Sequence, residues 1–227
     1  MKYLYHFILF AGIALFFPCC RPLPLVSSIR PTEVKDVQKF EPFSYISLVK
    51  TENQGHYNDS LSQISKTLLS RALDRFKPRL PLSGKIAVTD SLALLQLKRE
   101  LNFICINAER YKDVSHLKIS PFLDSLVEKT GKRFALLTFS TGFTRAKGNY
   151  AGEIAKGIGI GILTLGMYVQ TPIKARSVVY AVIVDSKENN VAFYQRSLLD
   201  DEEPLSEDNL GRQVQQLFEN YFWLSPQ

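Results

Sequence analysis

The side chains of this chain best suited to chemistry are three cysteines and three histidines, and their spacing limits what that chemistry can be. Cys19 and Cys20 are adjacent, while Cys105 stands alone in the apolar run Phe103-Ile-Cys-Ile106. Neighbouring cysteines pair poorly with each other, and a single thiol in an apolar run acts as a small hydrophobe, so neither a disulfide framework nor metal-ligand spacing is expected. His6, His56 and His116 are far apart and suggest no zinc site; His116 reads as a surface histidine rather than a general base. Gly152 and Gly157 have the gap of a phosphate loop, but Ile158 takes the place of its lysine. Gly157-x-Gly159 lacks the third small residue of a dinucleotide fingerprint, since position 162 is isoleucine, and no Gly-x-Ser-x-Gly elbow occurs. We therefore expect no catalytic residue, no metal and no cofactor. An enzyme whose site converges from dispersed positions stays open as an alternative.

Cys19 and Cys20 have a different chemistry available, which the residues before them set. Lys2 is followed by an uninterrupted apolar run, Phe7 to Phe17, that ends at Pro18-Cys19-Cys20. Eleven helical residues span about 16 Å, roughly half a bilayer core, which is the length of a signal-peptide core rather than a membrane span. In this region the sequence resembles the bacterial lipoprotein signal, in which an apolar stretch and small residues precede a cysteine that is acylated, with palmitate for example, and becomes the new first residue. Cys20 is the expected lipidation site because it leaves the smaller Cys19 at the cleavage position. Cys19 is the alternative, as are ordinary cleavage near Val26-Ser27-Ser28 and an uncleaved anchor. The resemblance implies residues 1–19 as a signal peptide, a lipid anchor that holds the chain to a membrane, and a place in the bacterial cell envelope. The absence of an acidic cluster after Cys20 points to the periplasmic face of the outer membrane. Acyl chains contribute about 0.8 kcal/mol per buried methylene, so several together hold a protein at a membrane.

Composition agrees with one folded body. The 227 residues are 45% hydrophobic and 22% charged, with a net charge of +6. That excess is mild and spread along the chain, and no basic run is interleaved with aromatics, so no nucleic-acid partner is expected. Residues 20–42, with prolines at 22, 24, 31 and 42, read as a lipidated N-terminus and extended tether. Residues 43–225 read as a single domain that includes an insert over 146–175.

Within that domain, Phe43 to Lys50 has the aromatic and β-branched composition of a strand, followed by a polar loop over 51–57. Ser60 and Gln63 form a capping box, and Leu61, Ile64, Leu68, Leu69, Ala72, Leu73 and Phe76 recur at helical spacing until Pro78. Leu82 to Val88 reads as extended. Asp90 or Ser91 caps a helix through Leu94, Leu97, Leu101, Ile104 and Ala108, although 102–106 would also suit a strand. Ser120-Pro121 starts a shorter helix that stops before Gly131. Arg133 to Thr141 is the central strand, 178–185 and 191–196 form a hairpin, and a closing helix runs from about Ser206 to Phe222. The acidic run 200–203 reads as loop solubility with helix-dipole complementarity. The expected fold is α+β (or α/β): a single mixed sheet of four to five strands packed by three to four helices.

The insert is the least ordinary stretch. From Gly157 to Ile173 there are seventeen residues without a charge, flanked by Lys156 and Lys174. Four glycines and Pro172 argue against a bilayer-spanning helix. Ala151, Ala155 and Gly159 have the small-xxx-small spacing that permits close helix contact, whereas a strand would place Ile158, Ile160 and Ile162 on one face. The insert is expected either to pack on its own domain or to touch membrane or a second copy through Gly157, Ile158, Gly159, Ile160, Gly161, Ile162, Leu163 and Leu165.

This order of elements behind a lipoprotein leader is similar to the small α/β domains of envelope lipoproteins, such as the LpoB-like synthase activators and the CsgG-like secretion components. The likeness covers Phe43 to Phe222 by element order. The run Ser140-Thr-Gly-Phe-Thr-Arg145, the apolar insert and the run Ala192-Phe-Tyr-Gln-Arg-Ser197 also look like lipoproteins of this kind. No activity comes with that resemblance. The expectation is a non-enzymatic, membrane-anchored binding or scaffolding protein with an envelope protein as partner; a homo-oligomeric assembly or pore component that uses the insert is the alternative.

Overall fold

The computed structural model describes residues 26–51, 53–110, 113–164 and 172–223. Eight strands and five α-helices occur among them: β1 (Val26–Ser27), β2 (Val37–Phe40), β3 (Phe43–Val49), β4 (Gly55–Tyr57), α1 (Asp59–Phe76), β5 (Leu82–Ile86), α2 (Ser91–Arg110), α3 (Pro121–Glu128), β6 (Phe134–Arg145), α4 (Asn149–Leu163), β7 (Arg176–Asp185), β8 (Asn190–Asp200) and α5 (Glu207–Phe218). The α+β class agrees with the expectation, whereas the expected four to five strands and three to four helices were too few. All the strands join one mixed sheet in the order β1-β8-β7-β6-β2-β5, with β3 also on β6 and β4 on β3.

The long strand β6 is the axis of that sheet. On one edge it pairs antiparallel with β7, from Phe134 opposite Asp185 to Phe143 opposite Arg176. On the other edge it pairs in parallel with β2 and then β3, which lie end to end along it. Gln38 faces Ala135 and Phe43 faces Phe139, so the chain between β2 and β3 holds one residue more than β6 does. That extra residue, at Glu41-Pro42, is a bulge that restores alternation with Phe40 and Phe43 on the same side of the sheet. Residues 26–42 were expected to be tether, but among the described residues the folded body begins at Val26. The strand signal of β2 was hidden because all four of its residues are buried, which erases alternation.

Both faces of the sheet are covered. On one, α1 and α5 pack over Val37, Phe134, Leu136, Val179, Ala181 and Ile183; on the other, α2 and α3 pack over Phe40, Ala135, Leu137, Val182 and Val184. The alternation of Phe134, Ala135, Leu136 and Leu137 between the two clusters makes β6 apolar throughout, as a strand covered on both sides must be. In α1 the cap is Asn58, whose side chain accepts from the Leu61 amide, and not the expected Ser60 box. Ile64 is 48% exposed, and the inward positions are taken by Ser62 and Ser65. Their hydroxyls bond to the Ile46 amide (2.9 Å) and to Ser140 (3.0 Å), which in turn donates to Ser44 (2.9 Å). Short side chains let this helix lie close on β3 and β6 while the hydroxyls of Ser62, Ser65 and Ser140 find partners.

Buried Gln213 of α5 does similar work, donating to the carbonyls of Ser177 and Ser197 at 3.0 and 3.2 Å. Lys39, 4% exposed in β2, is held by Asp74 of α1. Segment 102–106, open to two readings in sequence, is helix within α2. The expected polar loop 51–57 contains the short edge strand β4.

Candidate functional site

On the face that α2 and α3 cover, the strands run on past those helices at one end, where β6 is only partly buried. Along that end, direct cross-strand partners form rows on the face shared with α2. The first row is Phe43, Phe139, Tyr180 and Arg196; the next is Tyr45, Thr141, Val178 and Leu198; the third is Ser47, Phe143, Arg176 and Asp200. Phe139 and Tyr180 stack at 5.9 Å between ring centroids. Tyr45 meets Tyr57 of β4 at 4.8 Å with the planes tilted by 31°. Between these rings and α2 lies a cleft of about 350 Å3, whose rim carries Lys98 and Asn102. The Lys98 ammonium sits 5.6 Å from the Phe43 ring centroid. At the far side of the first row, Glu109 accepts from Arg196 at 2.6 Å and from the Tyr194 hydroxyl at 3.2 Å. Burial raises the Tyr194 and Tyr180 phenols, and Cys105 on the buried face of α2 is pushed up to about 12 by burial, with Glu109 adding to it. That thiol is a protonated packing residue, in line with its sequence context.

At the third row β6 leaves the sheet and the insert begins. It is a helix, α4, and not the strand that the Ile158, Ile160 and Ile162 alternation allowed. The edges of β6 and β7 are already paired with each other here, so a strand in the insert would lack a partner, whereas a helix satisfies its own backbone. Ile158 is 57% exposed, Ile160 38% and Leu163 85%. Gly157 is buried, and Gly159, Gly161 and Ile162 lie on the same helix. Leu165 lies outside the described residues, as do Cys19 and Cys20. Among the described residues no helix is long and apolar enough to cross a membrane. A second exposed apolar row, Leu92, Leu95, Phe103 and Ile106, runs along the outer side of α2.

The root of the insert is built around one guanidinium. Arg145 donates to the Ile173 carbonyl (2.8 Å), to Asn149 (2.6 Å) and to Asn53 (2.7 Å). It thereby ties the entry of the insert, its exit and the β3–β4 turn together, and Asn149 adds a bond to the Lys50 carbonyl at 3.3 Å. Beside it is an open cavity of about 580 Å3 with Val49, Phe143, Pro172 and Ile173 in its lining. A Cβ on Gly142 would lie 2.0 Å from the Arg176 carbonyl oxygen, so only glycine lets β6 and β7 approach as they do here.

The acidic run is taken up by the chain's own groups. Of its four side chains, Asp200 pairs with Arg176, Glu202 with Arg212 and Asp201 accepts from the Lys174 amide, while Glu207 beyond the run pairs with Arg75. The Arg212 guanidinium holds the Glu202 carboxyl below its ordinary range. Among the described residues no group of histidine, cysteine and carboxylates is arranged to hold a metal. Sequence reading found the insert but not the aromatic rows or the Arg145 clamp. The rows come from four strands far apart in the chain, and their only local trace is the alternation Phe43-x-Tyr45 and Phe139-x-Thr141-x-Phe143.

Replacing Arg145 by alanine removes the shared tie at the root of α4. We expect amide exchange across 146–153 to accelerate at least tenfold while the β6–β7 core stays protected, with a loss of about 2 kcal/mol in stability. Exchange mass spectrometry of the wild type and Arg145→Ala checks this, and unchanged exchange at the root would show that the helix is held by other contacts.

No family model matches the chain, and no curated protein matches it. Among solved structures it is similar to a PelC dodecamer from Paraburkholderia phytofirmans at 8% identity and a TM-score of 0.35, over 82% of this chain and 88% of that one. A likeness at that score carries no argument about fold, partners or assembly.

Proposed function

We propose that this protein is a lipid-anchored component of the bacterial cell envelope, on the periplasmic face of the outer membrane, with a binding role rather than a catalytic one, and that α4 is its contact element. The observation that carries this reading is the presentation of α4. Ile158, Ile160 and Leu163 stand exposed on a helix whose first residue, Asn149, is held by Arg145, which also holds the Ile173 carbonyl where the chain returns to the sheet. Exposed apolar side chains cost solubility, and their display on a fixed support is the arrangement of a contact surface rather than of a loose loop. The leader, Phe7 to Cys20, supplies the anchor in this reading. An anchor on Cys20 would keep the folded body near the membrane, where α4 would meet lipid or an envelope protein. Intact mass spectrometry of protein recovered from membranes tests the anchor. An acylated Cys20 at the amino terminus, lost in Cys20→Ala, is the expected result, whereas an unmodified terminus near Ile29 would contradict it.

The same helix supports a second reading, assembly of several copies through the insert. Ala151 and Ala155 are exposed one turn apart, which leaves room for close approach of another helix. Removing residues 157–169 is expected to leave a folded monomer and abolish oligomers, as measured by light scattering in detergent. A wild-type protein that is strictly monomeric would contradict this assembly.

A further inference from the structure

The cleft between α2 and the aromatic rows is separate from α4 and has its own chemistry. Its floor is Phe43, Tyr45 and Phe139, its side is Tyr57, and its rim carries Lys98 and Asn102. Tyr45 and Tyr57 are each 49% exposed although they belong to a sheet with a large core. Tyr57 is fixed in place by donating its hydroxyl proton to Asp59 at 2.9 Å. A volume of about 350 Å3 lies within the range of small-ligand clefts.

The pattern of surfaces narrows the ligand. Aromatic faces below and polar groups at the rim suit a molecule with flat apolar faces and a polar edge, which describes a sugar ring better than an acyl chain, since a chain gains nothing from hydroxyl, amide and ammonium groups. A nucleic-acid strand would also stack on such rings, but it requires several cations along its backbone, and Lys98 is the single cation in the lining among the described residues. An extended peptide would add to a strand edge, whereas this cleft opens on the face of the sheet. Lys98, exposed at the mouth, provides one positive charge for one negative group.

We propose that this cleft binds an acidic saccharide, with a sugar ring stacked on Tyr45 and Phe139 and its carboxylate against Lys98. The site does not rest on the lipid anchor or on α4, so failure of either leaves it standing, and its own failure leaves them untouched. The test is calorimetric titration of the full-length protein in detergent with a hyaluronan tetrasaccharide, which carries glucuronate, and with neutral cellotetraose. The acidic sugar should bind more tightly. Tyr45→Ala should weaken both sugars at least about tenfold, and Lys98→Gln should weaken the acidic one by about tenfold while it leaves the neutral one within about twofold. Lys98 and Asn102 are exposed helix positions, so Lys98→Gln and Asn102→Ala keep the test open if Tyr45→Ala melts at a lower temperature than the wild type. No heat with either sugar at the highest soluble concentration would overturn the proposal. So would equal loss of both sugars in Lys98→Gln, or tighter binding of an oligo-dT strand than of either sugar.

Discussion

Strand β6 has to satisfy hydrogen bonds on both edges and apolar cover on both faces, and most of the fold follows from meeting those demands together. Its edge toward β7 is met by an antiparallel partner of nearly equal length. Its other edge needs a parallel partner equally long, and the chain supplies it from β2 and β3 joined through the Glu41-Pro42 bulge. Without the extra residue, either Phe40 or Phe43 would face the wrong layer. The bulge is also where proline costs least, because a bulged residue need not donate to the ladder.

Two consequences of this axis bear on function. First, on the face of α2 and α3, β6 outruns the helices that cover it, so its last rows there keep aromatic side chains within reach of solvent. A core residue there would gain nothing from Tyr45 or Phe143 standing partly open, yet aromatic rings recur on adjacent strands. Second, the connection from β6 to β7 leaves the sheet at its far end, with no edge left to pair. A helix satisfies its own backbone in that place without a strand edge, and residues 149–163 take that form. The chain forms α4 and fixes its root, through Arg145, to the exit segment and to the β3–β4 turn. Rigidity at the root and apolar exposure along the helix are the two properties that a contact element needs.

Much of this was legible in the sequence, and the parts that were not have physical reasons. α2, α3 and α5 carried their apolar period and caps openly, with Asp90, Ser120 and Ser206 each accepting from a backbone amide of the first turn. The β7–β8 hairpin was legible because two apolar runs flank a polar turn. β2 was not, because Val37-Gln-Lys-Phe40 lies between prolines and holds a lysine whose charge is met only by Asp74 in the folded chain. β4 was too short to carry a period. The cap of α1 was misplaced by two residues because Ser60 imitates a cap that Asn58 supplies. The aromatic cleft depends on strand order, which brings Phe43 beside Phe139 and Phe139 beside Tyr180, and no local pattern encodes that order.

The central claim is that α4 is the surface through which the protein meets its surroundings. A photo-crosslinking residue at Leu163, compared in intact cells with the same residue at exposed Glu128 of α3, tests it most directly. The account predicts crosslinks from position 163 to lipid, to an envelope protein or to a second copy, and few from position 128. Equal and sparse crosslinking at both positions would mean that α4 faces water and that its exposed side chains have no partner.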